Sequence, residues 1–102
     1  MSPAYQLLHQ ALISRRPLAG VYENHYREFC PHVIGLKAGH ENVLVFQFGG
    51  TSSTPLRPPG EWRCFRVARI TSLQLIDGSW HGGDKESQPQ NCVGEVDVSV
   101  GP

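Results

Sequence analysis

Apolar residues near the N-terminus recur at spacings of three and four, the period of a helix that buries one face. They are Ala4, Leu7, Leu8, Ala11 and Leu12. Ser2 can cap the first turn, and Pro3 suits the first helical position. The pattern predicts a helix from about Pro3 to Ser14, which ends before Pro17 because the residue preceding a proline is biased away from helical geometry. A helix this short depends on packing against the rest of the chain.

After Pro17 the pattern changes to short apolar or alternating runs, separated by glycine, proline and polar residues. Strands are predicted at residues 18–22, 26–36, 42–48, 62–70 and 73–76. Pro31 interrupts the second of them, as expected at an edge or a bulge. The third is so continuously apolar that it is predicted to be the most buried strand. Residues 49–60 contain three prolines and are predicted to form the longest loop.

The fold class predicted from these elements is mainly β. Five short strands behind one helix favour a small SH3/Sm-like five-stranded barrel with an N-terminal α-helix, because closing such a sheet removes its exposed edges. This helix-capped barrel domain would comprise residues 1–81.

Residues 82–102 are predicted to form a flexible acidic tail. Polar residues from His81 to Asn91 predict a linker without regular structure. Val96, Val98 and Val100 then alternate with polar residues, as in a half-buried strand. This extra C-terminal strand would join either its own barrel or that of a second subunit, in a homodimer.

The charges are separated along the chain, although their sum is zero. Residues 1–76 contain eight Lys and Arg and four acids, a net charge of +4, whereas residues 77–102 contain one Lys and five acids, a net charge of −4. A basic body is compatible with binding of an anion, and the acidic tail could cover the basic face. Two solvated surfaces of opposite sign would explain the same pattern.

The cysteines and histidines help to define the class of protein. Three cysteines, at positions 30, 64 and 92, are an odd number with no close pair. With no signal peptide and no apolar run of membrane-spanning length, they predict a soluble cytoplasmic protein with reduced thiols and no membrane association. The Cys and His spacings do not match a zinc site, and no nucleophile has a marked base and orienting group. The sequence therefore predicts no metal, no cofactor and no enzymatic activity.

The stretch from Glu61 to Ile70 combines cations with apolar side chains. Arg63, Arg66 and Arg69 are spaced by three and interleaved with aromatic and aliphatic residues. Guanidinium groups match phosphate oxygens in pairs of hydrogen bonds, and exposed aromatic rings stack on unpaired bases. The stretch indicates an anion site, although a solvated strand face would carry the same arginines.

Residues 11 to about 77 resemble a WYL domain, a bacterial Sm-like or SH3-like barrel, through motifs that fall in the same order. The matching residues are Arg15-Arg16-Pro17 leading to Tyr22, then Arg27 before Phe29, Pro31-His32, Ile34 and Gly35, then a buried strand, and finally Phe65-Arg66-Val67-Ala68-Arg69-Ile70. The last motif is the most specific. The name-giving triplet aligns with Asn42-Val43-Leu44, of which only the leucine is kept.

The resemblance implies a stand-alone ligand-sensing module in the regulation of transcription or in anti-phage defence, since this chain has no accompanying helix-turn-helix domain. The implied ligand is anionic, most simply single-stranded nucleic acid, an oligonucleotide or a nucleotide. The implied ligand-binding residues are Tyr22, Arg27, His32, Arg63, Arg66 and Arg69. The alternative function is a protein–protein assembly module that uses the barrel and the C-terminal strand.

Overall fold

Strands dominate the structure, a computed structural model that describes residues 1–82 and 90–100. One helix, α1 (Pro3–Ser14), precedes β1 (Leu18–Tyr22), β2 (His25–Lys37), β3 (His40–Gly50) and β4 (Glu61–Arg66). A 3₁₀ turn (Val67–Arg69) leads to β5 (Thr71–Leu75), and β6 (Glu95–Ser99) follows. The mainly β prediction is confirmed. No helix in the described residues is long and apolar enough to cross a membrane.

Helix α1 begins and ends where the sequence predicts. The backbone amide of Tyr5 donates to the hydroxyl of Ser2 at 3.2 Å, so Ser2 caps the first turn. The helix ends at Ser14, and the capping residue Arg15 adopts left-handed geometry with a φ of 57°. Its buried face packs into the core and consists of Tyr5, Leu8, Ala11 and Leu12.

Five strands form an antiparallel sheet in the order β4-β3-β2-β1-β5. Their bounds match the predicted strands to within two residues, except that the fourth ends at Arg66. The predicted strand continued to Ile70, but Val67 begins the 3₁₀ turn and buries its side chain in the core. In the described part of the chain, β4 and β5 do not pair with each other, so the sheet is not closed by backbone hydrogen bonds.

Strand β2 is the centre of the sheet. β3 pairs with one of its edges, and the other edge is shared by β1 at residues 25–29 and β6 at residues 33–36. Every residue from Phe29 to Gly35 is buried. The prediction that β3 is the most buried strand is wrong, because five of its eleven residues are buried and β2 buries eight of thirteen. The turn to β3 places Ala38 and Gly39 at φ values of 52° and 81°, the left-handed geometry that a two-residue hairpin turn requires.

The C-terminal strand joins the sheet of its own chain. β6 is antiparallel to β2, with Ile34 opposite Val98 and Gly35 opposite Val96. A Cβ atom on Gly35 would collide with the carbonyl oxygen of Glu95, so this close approach requires glycine. The linker predicted at His81–Asn91 lies mostly outside the described residues.

Cys64 and Cys92 form a disulfide, with their Cα atoms 5.5 Å apart. The prediction of reduced thiols is therefore wrong. The two cysteines are 28 residues apart in the sequence, and the fold brings them together because Leu44 lies opposite Cys64 in the sheet and also packs beside Cys92. Since disulfides persist mainly in oxidising compartments, the thiol-based argument for a cytoplasmic location no longer holds.

Cys30, the remaining cysteine, is buried in β2. Burial raises the pKa of its thiol to about 11, and the backbone amide of His81, which donates to the sulfur, opposes this only in part. We expect the native protein near pH 8 to offer no thiol to iodoacetamide and the denatured protein to offer one. Mass spectrometry counts the adducts, and three adducts in denaturant without reductant would contradict the disulfide.

Candidate functional site

Three of the six candidate side chains meet on the core side of the sheet, around the buried ring of Phe65 in β4. Tyr22 stacks on this ring, and the guanidinium carbon of Arg27 lies 5.3 Å from its centre. Arg63 is two positions before Phe65 and shares its side of the strand. The structure therefore groups Tyr22, Arg27 and Arg63 near the unpaired edge of β4.

Tyr22 connects two strands that are not neighbours in the sheet. Its ring lies 4.2 Å from that of Phe65, with only 21° between the ring planes. Its hydroxyl accepts a hydrogen bond from the backbone amide of Arg66 at 3.1 Å. Because Tyr22 ends β1 and Arg66 ends β4, this side chain links an inner strand of the open sheet to the end strand β4. The Tyr22 ring contacts Phe65 and Arg27 inside the core, and only 8% of the residue is exposed.

Arg27 is a buried cation, with 2% of its surface exposed. Nε donates to the carbonyl oxygen of Tyr22 at 3.1 Å, Nη1 donates to Oε1 of Gln47 at 3.2 Å, and Nη2 lies 3.5 Å from a carboxylate oxygen of Glu23. Burial lowers the pKa of the guanidinium, Glu23 opposes this shift, and the nearby charge of Arg63 adds to it. Arginine remains protonated even so, so the group is a permanent positive charge beneath the surface.

Gln47 connects Arg27 to the loop after β3 through hydrogen bonds. Its Oε1 accepts from Arg27, and its Nε2 donates to the carbonyl oxygens of Gly49 and Thr51, both at 3.0 Å. The amide is fully buried and uses both of its ends. Gln47 was not among the residues predicted from the sequence. The only signal available was one amide in the otherwise apolar run 43–48.

Arg63 lies beside that loop. Its Nη2 donates to Oε2 of Glu61 at 3.1 Å, to the hydroxyl of Thr54 at 3.3 Å and to that of Ser52 at 3.4 Å. Its Nε is buried, and no acceptor for it occurs among residues 1–82 and 90–100. A guanidinium beside two hydroxyls, with its Nε–H group still without an acceptor, suits an anion that carries several oxygens.

The other two arginines of the stretch do not continue this group. Arg66 is three positions after Arg63 on β4, so its side chain leaves the opposite side of the strand. Arg69 is exposed in the 3₁₀ turn. Within the described ranges neither side chain forms an ion pair. The three arginines are evenly spaced in the sequence, but their side chains therefore do not form one row of charges on the surface.

His32 lies on the other side of the sheet. Its ring is 4.8 Å from that of Trp62 and 4.9 Å from that of Trp80, and Nε2 lies 3.0 Å from the carbonyl oxygen of His81. The residue is buried in these contacts. They hold the segment after β5 against the sheet, and they place His32 apart from the three grouped side chains.

A shallow cleft of about 280 Å³ lies beside the loop at residues 51–60. It is lined by the ring of Phe48, the chain at Gly49 and Gly50, and residues 56–60, which include the exposed Arg57. The ring of Phe48 also stacks on His81, with 4.0 Å between ring centres. The sequence predicted a loop at residues 49–60 and no site there, although Arg57 among three prolines was a visible signal.

The described residues contain no group of three or more His, Cys, Asp or Glu side chains that could hold a metal ion. Comparison of the chain with protein-family models, with curated proteins and with solved structures finds no match in any of the three. The chemistry of the candidate site is therefore inferred from its geometry, which offers guanidinium groups and hydroxyls.

Proposed function

We propose that this chain is an anion-binding regulatory module, and that its ligand is single-stranded nucleic acid or an oligonucleotide. The observation that carries the proposal is the surrounding of Arg63, where one guanidinium meets two loop hydroxyls and retains a buried Nε–H group without a described acceptor. Phosphate oxygens match such a set of donors. The charge of Arg27 nearby adds to the attraction.

The proposal includes a WYL-like barrel of the SH3/Sm type. Its support is the strand order β4-β3-β2-β1-β5 after an N-terminal helix, together with the 3₁₀ turn between the last two strands of that order. A side-chain contact across the sheet adds to this support, since the hydroxyl of Tyr22 in β1 accepts from the backbone amide of Arg66 at the end of β4.

Each arginine has a distinct part in this proposal. Arg63 binds one phosphate after Glu61 turns away from its Nη2 group. Arg66 and Arg69 attract further phosphates of the strand from the exposed end of β4 and the turn after it. Arg27 and Tyr22 do not bind the ligand directly, because their polar groups are already hydrogen-bonded to the protein. They stabilise the core on which the binding residues lie.

The test is a fluorescence-anisotropy titration of a mixed-sequence pool of single-stranded DNA and RNA at two salt concentrations. Each phosphate neutralised on a single strand contributes about 0.7 to the log–log salt slope, so contact with three arginines gives a slope of about −2. We expect Arg66→Gln with Arg69→Gln to remove about 1.4 units of this slope. Both side chains lack ion pairs in the described structure, so the fold should tolerate the change.

Arg16→Gln is the matched control, since it removes one exposed charge that already pairs with Asp77 at 3.7 Å. This variant should bind almost as the unchanged protein does. An unchanged slope in the double variant, or no binding at low salt, would reject the proposal. The assembly alternative has no specific observation in its favour, because β6 pairs with β2 of its own chain.

A further inference from the structure

The tail segment, defined as residues 90–100, is held to the sheet by its short strand, by the buried side chains of Val93 and Val100, and by several hydrogen bonds. Lys37 Nζ donates to the carbonyl oxygen of Asn91 at 2.7 Å, and Asn42 Nδ2 donates to that of Cys92 at 2.9 Å. The hydroxyl of Tyr5 donates to Asp97 at 2.7 Å. Most residues of β6 are exposed. A five-residue edge strand whose own residues are mostly exposed opens more easily than the central strands, so a covalent link beside it contributes much to keeping it in place.

The disulfide is the strongest link between the tail segment and the sheet, and its two sulfurs are in unlike surroundings. Cys64 is exposed on β4, whose other edge pairs with no strand in the described residues. Cys92 is 6% exposed and packs with Val33, Val93 and Leu44. A thiolate in solution therefore reaches Cys64 more readily than Cys92, and access governs which sulfur of a disulfide is attacked.

We propose that the Cys64–Cys92 bond is a thiol–disulfide exchange site for a dithiol reductant, and that opening it releases the tail segment from β2. One thiolate of the reductant attacks Sγ of Cys64, so that a bond forms between the two sulfurs and the Cys64–Cys92 bond breaks. The electron pair leaves on Sγ of Cys92, which then takes a proton from water. The second thiolate of the reductant then attacks the reductant sulfur that is bonded to Cys64. This forms the disulfide of the reductant and releases Cys64 as a thiolate, which takes a proton from water. The protein gains two electrons, and the reductant becomes a disulfide.

Release of the tail segment changes the surface of the molecule in two ways. The apolar side chains of Val33 and Leu44 lose the cover that Cys92 and Val93 provide. The acids Glu95 and Asp97, both exposed on β6, are no longer fixed beside the basic body. The redox state of one bond thus controls both the apolar area and the charge at this edge of the sheet, independently of which ligand the arginines bind.

Hydrogen exchange measured by mass spectrometry tests the proposal on the full chain, oxidised or treated with dithiothreitol. We expect reduction to speed amide exchange in Glu95–Ser99 and in Val33–Leu36 by roughly tenfold to a hundredfold. This increase is smaller than the full stabilisation that the chain-entropy model assigns to closing a loop of this size. Amides that join β1 to β2 should keep their protection. The double variant Cys64→Ser with Cys92→Ser should show the fast exchange with or without dithiothreitol.

The site of attack has a separate readout. Brief treatment of the oxidised protein with glutathione, followed by acid quenching and peptide mapping, should find the mixed disulfide on Cys64. An adduct mainly on Cys92 would overturn the assignment of the attacked sulfur. Unchanged exchange in β6 after complete reduction would overturn release of the tail segment, and so would loss of protection throughout the sheet.

Discussion

Replacing Arg27 by methionine is expected to lower the free energy of unfolding by about 3 kcal/mol, because the variant leaves buried acceptors without a donor. The carbonyl oxygen of Tyr22 and Oε1 of Gln47 both accept from this guanidinium. Methionine fills much of the same space but offers no hydrogen bond. Gln47 would also lose the partner that aligns its contacts with Gly49 and Thr51, so the loop after β3 should become less ordered.

Urea denaturation followed by tryptophan fluorescence measures this loss, and Arg69→Met is the matched control. Arg69 is exposed and forms no ion pair in the described residues. Its replacement by methionine should change the free energy of unfolding by less than about 0.5 kcal/mol. Equal effects of the two substitutions would show that the buried network around Arg27 contributes little to the fold.

Loss of the Cys64–Cys92 bond is expected to cost about 3 to 4 kcal/mol of stability. The bond closes a loop that spans 28 residues of sequence, and the chain-entropy model assigns this much to removing the constraint on the unfolded chain. The native structure should keep its central strands, since β1, β3 and β4 do not need the bond in order to pair.

Thermal unfolding with and without reductant measures this second effect. The double variant Cys64→Ala with Cys92→Ala should unfold at a lower temperature than the oxidised protein and should not respond to reductant. Cys30 is common to both proteins, so any remaining response to reductant would have another origin. A reduced protein as stable as the oxidised one would show that the unfolded chain gains little freedom when the bond opens.

The local elements could be predicted from the sequence because each rests on neighbouring residues. Ser2 and Pro3 mark the start of α1, and the apolar spacing of three and four marks its buried face. Alternation and turn residues place β1 and β2 to within two residues. The valines of the tail likewise predict a strand, which the structure places as β6. Propensity and periodicity are short-range signals, and they suffice at this level.

The candidate site was harder to predict because its geometry depends on contacts between distant residues. Arg27 and Arg63 are equally charged in the sequence, yet one is buried against Gln47 and the other lies beside Glu61 and the loop hydroxyls. Arg63 and Arg66 lie on opposite sides of β4 and Arg69 lies in the turn after it, so the regular spacing of the three arginines does not place them on one face. Nor does an odd number of cysteines indicate which two will meet, since that depends on where β4 and the tail lie in the fold.

The shared edge of β2 has a consequence for how the chain is assembled during synthesis. The β2–β3 hairpin is complete once residue 50 has emerged, and β4 can follow soon after. Residues 33–36, however, wait for β6, which begins only at residue 95. Over that interval a nascent chain presents Val33–Leu36 with backbone groups that other chains can pair with. β6 thus completes a surface begun some sixty residues earlier, and any delay in placing this strand lengthens the time in which newly made copies can associate wrongly.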